Sequence, residues 1–185
     1  MHDATIVFGD GALVQIRAIA GTDAQCLKAF FDRLTPVARY MRFQRAIREI
    51  SLAECERMSM ADAFVEVGLI ACVLELGGPR VIADARFVVV PGTREAEFAI
   101  VIADDWQRRG LGERLLAQLS CRAWNDGIER LFGEALSDNM SVRKLAQRQV
   151  DRLHMTRWGT TRIEIQTGGA CRIDLSGRRS IVVSR

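Results

Sequence analysis

Between Glu97 and Leu119 the chain reads EFAIVIADDWQRRGLGERLLAQL. An apolar, strand-like run breaks at Asp104-Asp105 and becomes a leucine-rich helix. Gly110 and Gly112 stand at the break, beside Arg108 and Arg109. Glycines there let the backbone approach a ligand closely and take conformations closed to other residues. The first N–H groups of a helix lack internal acceptors, and the dipole adds about half a positive charge. With two arginines adding formal charge, this is a strand–loop–helix unit suited to a phosphate at its turn.

Three phosphate-binding loops compete for the pattern. A dinucleotide fingerprint needs a third glycine at position 115, where Leu115 stands. A nucleoside-triphosphate loop needs Gly-Lys-Ser/Thr, and Glu113 and Arg114 follow Gly112 instead. What remains is Q-x-x-G-x-G, here Gln107-Arg108-Arg109-Gly110-Leu111-Gly112.

Bulk properties narrow the class. A chain of 185 residues, 49% apolar and 26% charged, suits one globular domain with a real core. A net charge of +3 is too small to imply nucleic acid. The five cysteines have no C-x-x-C spacing, which argues against a disulfide framework and against zinc. Only His2 and His154 are available, so a His-rich metal centre is excluded and no metal is expected. The opening MHDATIVFGD has neither a basic start nor a long apolar core, and no run approaches the roughly 20 residues of a membrane helix. A cytoplasmic protein without membrane partners is expected.

The element order predicts α+β, or mixed α/β, rather than strict βαβ alternation. ATIVFGDGALVQIRAI is a hairpin around Gly9-Asp10-Gly11. Thr22 and Gln25 form a capping box ahead of Leu27, Phe30, Phe31 and Leu34 on one helical face, and Pro36 ends that helix. A basic segment, ARYMRFQRAIREI, forms a short helix or ordered loop, and Ser51 with Glu54 caps another helix over Leu52 to Met60. VEVGLIACVLEL and RVIADARFVVV pair through Gly77-Gly78-Pro79, and EAEFAIVIA adds a third strand. Helix Leu111–Asn125 ends at Gly127, IERLFGEALS is a strand, and Asp138 or Asn139 caps a further helix. RLHMTRW, RIEIQT, CRIDLS and SIVVSR are short C-terminal strands.

Over about residues 4–149 these features resemble the GNAT (GCN5-related) N-acetyltransferases, closest to their bacterial protein-lysine acetyltransferase branch. The resemblance is carried by Asp10-Gly11 before Ile16-Arg17-Ala18-Ile19, by Leu34-Thr35-Pro36 with Arg39-Tyr40-Met41-Arg42-Phe43, and by AEFAIVIADDWQRRGLG. It implies one domain over 1–185, with residues 150–185 as atypical C-terminal strands. The implied fold is a mostly antiparallel sheet with two splayed strands and flanking helices.

The resemblance also assigns roles. The pantetheine arm of acetyl-CoA would lie along Ile100, Val101 and Ile102 in the gap between the splayed strands. Gln107, Arg108, Arg109, Gly110, Leu111, Gly112 and Glu113 would form the pyrophosphate loop, and Asn139 would contact the cofactor arm. The family's glutamate base, ten residues before the loop glutamine, falls at Glu97, where burial near a closed cofactor would raise its pKa. By residue type alone Glu95 competes with it equally.

The activity implied is acetyl transfer from acetyl-CoA to a primary amine, a protein lysine or a small molecule, by direct attack in a ternary complex. The partners implied are acetyl-CoA and the acceptor, on a monomer or homodimer. No tyrosine follows Asn139 to act as general acid, and Val150-Asp151 replaces the family's Gly-Phe at the end of that helix. A catalytically weak acyl-CoA-binding module is the alternative reading.

Overall fold

Alternating apolar runs separated by glycine turns build the larger part of an eight-stranded sheet. The computed structural model describes residues 4–60, 65–136, 152–155 and 160–170. Its strands are β1 (Ala4–Val7), β2 (Leu13–Ala18), β3 (Glu66–Glu75), β4 (Gly78–Val89), β5 (Glu95–Ile102), β6 (Arg130–Leu136), β7 (Arg152–Met155) and β8 (Thr160–Gln166). They lie in the order β1-β2-β3-β4-β5-β6-β8-β7. Every neighbouring pair is antiparallel except β5 and β6.

That parallel contact is short. It joins Glu95 to Arg130, Ala96 to Leu131 and Glu97 to Phe132, and then ceases. β5 continues beside β4 as far as Ile102, and β6 beside β8 as far as Leu136. The inner edges of the two strands therefore diverge beyond Glu97, as the fork expected from the sequence.

Among the described residues, four helices of eight residues or more flank the sheet: α1 (Ala24–Arg33), α2 (Pro36–Phe43), α3 (Leu52–Ser59) and α4 (Leu111–Asn125). Leu111, Leu115, Leu116 and Leu119 of α4 pack on Ile82, Ala85, Phe87, Ala96 and Phe98. Leu27, Phe30 and Phe31 of α1 pack on Ile70, Cys72, Val81 and Val101 from the other side. Each side chain of this size contributes about 1.5–3 kcal/mol on burial, so both faces of the central strands are fixed. The period-two alternation of β5 puts Ala96, Phe98, Ile100 and Ile102 on the α4 face, and Glu97, Ala99 and Val101 on the α1 face.

Local details correct the sequence reading in three places. Thr22 does not cap α1; a 3₁₀ turn spans Gly21–Asp23, and the Asp23 carboxylate accepts the Ala20 N–H at 2.8 Å while pairing with Arg17. Asp23 stands at the N-cap of α1, but its carboxylate is bound by Arg17 and the Ala20 N–H and gives the helix no side-chain cap. Pro36 does not itself end α1, which stops at Arg33; it opens α2 behind the Thr35 cap, where its missing N–H costs nothing. Cys121 is disulfide-bonded, against the expectation from cysteine spacing, whereas Cys26, Cys55 and Cys72 are free thiols. Ser51 caps α3 as expected, accepting the Glu54 N–H at 3.1 Å. The helix expected after Asn139 and the strands expected after Cys171 lie outside the described residues. Among the described residues, no helix is long and apolar enough to cross a membrane.

Candidate functional site

The site begins where β5 ends. A 3₁₀ turn, Asp104–Trp106, leads to Gln107 and then to two residues of positive φ, Arg108 at 59° and Gly110 at 82°. Gly110 is the N-cap of α4 and supplies no side-chain cap. The first-turn N–H groups of α4 therefore face outward without a side-chain acceptor from the cap. A Cβ built at Gly110 would meet nothing within 4 Å, so the glycine serves the backbone conformation and leaves open space in front of the helix. Gly112 answers a different need. Its Cβ would come within 3.3 Å of Ile102 Cδ1, so its absence seats α4 close against β5.

The side chains of the loop have separate tasks. The Gln107 amide donates to the Ile102 carbonyl at 3.2 Å and to Asp104 at 3.3 Å, closing the loop on the strand. Arg108 is exposed, with no charged partner among the described residues. Arg109, expected beside Arg108 at the anion site, is engaged within the protein. Its guanidinium pairs with Asp10 and stacks over Trp106, 4.1 Å from the ring centroid. Leu111 faces the core, and Glu113 stands in the first turn of α4.

At the root of the fork lies Glu97, in the last β5–β6 pair, opposite Phe132. Its side chain is exposed and has no hydrogen-bond or ion-pair partner among the described residues. Glu95, the competitor by residue type, is held by Arg130 at 2.9 Å. Among the described residues, the β6-facing edge of β5 through Ile100, Val101 and Ile102 has no strand partner beyond Glu97, and neither has the facing edge of β6 from Gly133. An open strand edge presents backbone donors and acceptors that an amide-bearing chain can satisfy. The fork edge and the uncapped helix together fit the amides and the pyrophosphate of an acyl-CoA. Asn139 lies outside the described residues.

Three features of this region were not singled out in the sequence. Gly133 on β6 is one: a Cβ there would lie 2.9 Å from the Phe98 carbonyl oxygen. Glycine inside a strand signals such an approach. The second is a buried charge network on the Glu97 face of the sheet. Asp84 is 0% exposed and receives Arg86 at 2.6 Å and Arg42 at 3.4 Å, while Arg86 also reaches Glu66 at 2.6 Å. Burial alone would push the Asp84 carboxyl up, but the two guanidiniums outweigh it and hold it below the usual carboxylate range. The signal was Asp-x-Arg on one face of an otherwise apolar strand. The third is Gln44, the left-handed C-cap of α2 at φ 51°, whose amide donates to the Glu134 carbonyl of β6 at 3.2 Å.

A crevice of about 410 Å³ lined by Thr93, Arg94, Glu95, Glu129, Arg130 and Gln166 lies at the opposite end of β5 from the loop. Its walls are the Arg94–Glu129 and Arg130–Glu95 ion pairs, and it takes no part in the fork.

A mixed sheet forked after Glu97, with an uncapped helix at its mouth, is the fold shared with solved GNAT domains. The chain belongs to the acetyltransferase (GNAT) family, which uses acetyl-CoA as cosubstrate and whose pattern it matches over residues 37–150. It is 29% identical over 136 residues to acetyltransferase PA5475 of Pseudomonas aeruginosa, covering 74% of this chain and 73% of that protein. It is 38% identical over 113 residues to acetyltransferase Pat of Mycolicibacterium smegmatis, covering 59% of this chain but 32% of that protein. Among solved structures, the GNAT domain of S. lividans PAT superposes with a TM-score of 0.76 at 26% identity, covering 89% of this chain and 96% of that one.

Proposed function

We propose that this chain is an N-acetyltransferase domain that moves the acetyl group of acetyl-CoA to a primary amine, a protein lysine ε-amine by preference. The observation that supports it most is the alignment of three elements along one strand. Glu97 stands at the root of the fork, the open edge of β5 follows, and the uncapped N-terminus of α4 lies at its mouth. In this reading the backbone N–H groups from Arg108 to Gly112, with Arg108 adding charge, hold the pyrophosphate. Ile100, Val101 and Ile102 offer their backbone edge to the pantetheine amides. The preference for lysine rests on the resemblance carried by Asp10-Gly11 and Arg39-Tyr40-Met41-Arg42-Phe43.

An ammonium has no lone pair, so the acceptor must first lose a proton. Glu97, ion-paired to nothing among the described residues, takes that proton directly or through water. The neutral nitrogen then attacks the acetyl carbonyl carbon, the carbon–sulfur bond breaks, and the proton that the nitrogen sheds on becoming an amide passes through water to the departing thiolate. Direct attack is preferred because, among the described residues, no activated nucleophile accompanies the fork.

Thiol release from acetyl-CoA in the presence of lysine peptides and small amines tests this reading. Turnover that requires an amine supports it. CoA binding without turnover on any amine would favour instead a binding module, the reading suggested by Val150-Asp151 in place of Gly-Phe.

A further inference from the structure

Arg109 lies between the two left-handed residues of the loop, and the first hairpin covers it. Its side chain is 27% exposed although it carries a full charge. One carboxylate oxygen of Asp10 pairs with it, the Trp106 ring lies 4.1 Å from its guanidinium carbon, and the Phe8 ring lies 5.3 Å away. Phe8 meets Trp106 edge-on at 5.6 Å, which closes the aromatic walls around the guanidinium. Phe8 and Asp10 belong to the β1–β2 turn, about a hundred residues earlier in the chain.

That turn is itself rigid. Phe8 N–H donates to the Ala12 carbonyl at 2.9 Å, Gly11 N–H to the Phe8 carbonyl at 2.8 Å, and Ala12 N–H to the second oxygen of Asp10 at 3.1 Å. The loop is less self-sufficient. A non-glycine residue in the left-handed region costs about 1–2 kcal/mol, so Arg108 at φ 59° needs support from elsewhere. The side chain next to it is the one that the hairpin grips.

We infer that Asp10 is a positioning residue for the cofactor loop: through Arg109 it holds the Arg108–Gly112 backbone in the conformation that presents its N–H groups. The role is indirect, because Asp10 touches the loop only through the arginine. Arg109 thus contributes geometry rather than charge to the anion site, and Arg108 is the arginine left for the phosphates. The inference rests on the proposed function only in naming what the loop holds.

Asp10→Asn keeps an acceptor for Ala12 and removes the charge pair; Arg109→Gln removes it from the other side, and Arg109→Lys is the mildest change. Amide hydrogen exchange on the ligand-free protein reads the loop without any cofactor, and calorimetric titration with CoA reads its use. Both Asp10→Asn and Arg109→Gln should raise exchange at Arg108–Gly112 and weaken CoA by about threefold to tenfold. The later turns of α4 should keep their protection, and the double variant should be no worse than the worse single one. Loop exchange at the wild-type level in both Asp10→Asn and Arg109→Gln overturns the inference. A wild-type protein that ignores CoA, yet whose loop loosens in these variants, upholds the inference and overturns the proposed function instead.

Discussion

Gly133 and Phe98 approach so closely that a single added carbon at 133 would lie 2.9 Å from the Phe98 carbonyl oxygen and 3.1 Å from its ring. This contact lies one residue past the last paired register of β5 and β6, where the fork opens. Alanine at 133 must therefore push the strands apart. The expected cost is about 1–3 kcal/mol of stability, together with weaker CoA binding. Gly77→Ala, with nothing within 4 Å of its Cβ, should change stability by less than about 0.5 kcal/mol. Urea midpoints and CoA titrations that do not separate these two variants would show that the close approach does not set the fork.

At Gly110 backbone conformation decides, because space is plentiful there. Gly110→Val should abolish stabilisation by CoA, whereas Gly110→Asn, which tolerates the left-handed region, should retain part of it. In the wild type, free CoA at about a hundred times its dissociation constant should add roughly 2.7 kcal/mol. A thermal shift equal to wild type in the valine variant would remove this loop from the site.

The two glutamates of β5 separate by their partners. Glu97→Gln should lower turnover at neutral pH by about a hundredfold or more and leave CoA affinity intact, with recovery as pH rises towards the amine's own pKa. Glu95→Gln breaks a half-exposed pair with Arg130 and should leave the pH–rate profile unchanged. A wild-type profile in Glu97→Gln would rule it out as the base.

The buried network predicts an acid limb of stability. Asp84 is held below the usual carboxylate range in the fold, so its contribution is full above about pH 4 and is lost as pH falls through the folded value. Asp84→Asn leaves Arg86 and Arg42 without their carboxylate, which should cost about 3–5 kcal/mol at neutral pH. It should also flatten the fall in stability below pH 4. Urea melts between pH 7 and pH 3 with parallel acid limbs in both proteins would contradict this account.

How much of this was legible in the sequence depends on whether the cause was local. Gly110 before an amphipathic run marked the loop, and Gly127 marked the end of α4, because backbone conformation constrains residue type at the position itself. The alternation of β5 sorted its two faces for the same reason. Residue type alone could not separate Glu97 from Glu95; the resemblance named Glu97, and that Arg130 sits across the parallel pair from Glu95 is a fact of register that neither segment carries alone. Arg109 looked like one of two equivalent phosphate arginines, since nothing near it in sequence shows that Asp10 will take its charge.

The β5–β6 junction has a mechanical consequence. Strands β1 to β5 form one antiparallel block and β6, β8 and β7 another, and only three residue pairs join them along the sheet. Those three pairs are the shortest ladder in the sheet, and the blocks are otherwise joined through the core that α4 shares with Leu131, Ile163 and Ile165. An amide-bearing ligand laid in the opening would continue the hydrogen-bond ladder as a wedge, taking the place of the missing strand. Binding the cosubstrate and bridging the two blocks along the sheet would then be one event.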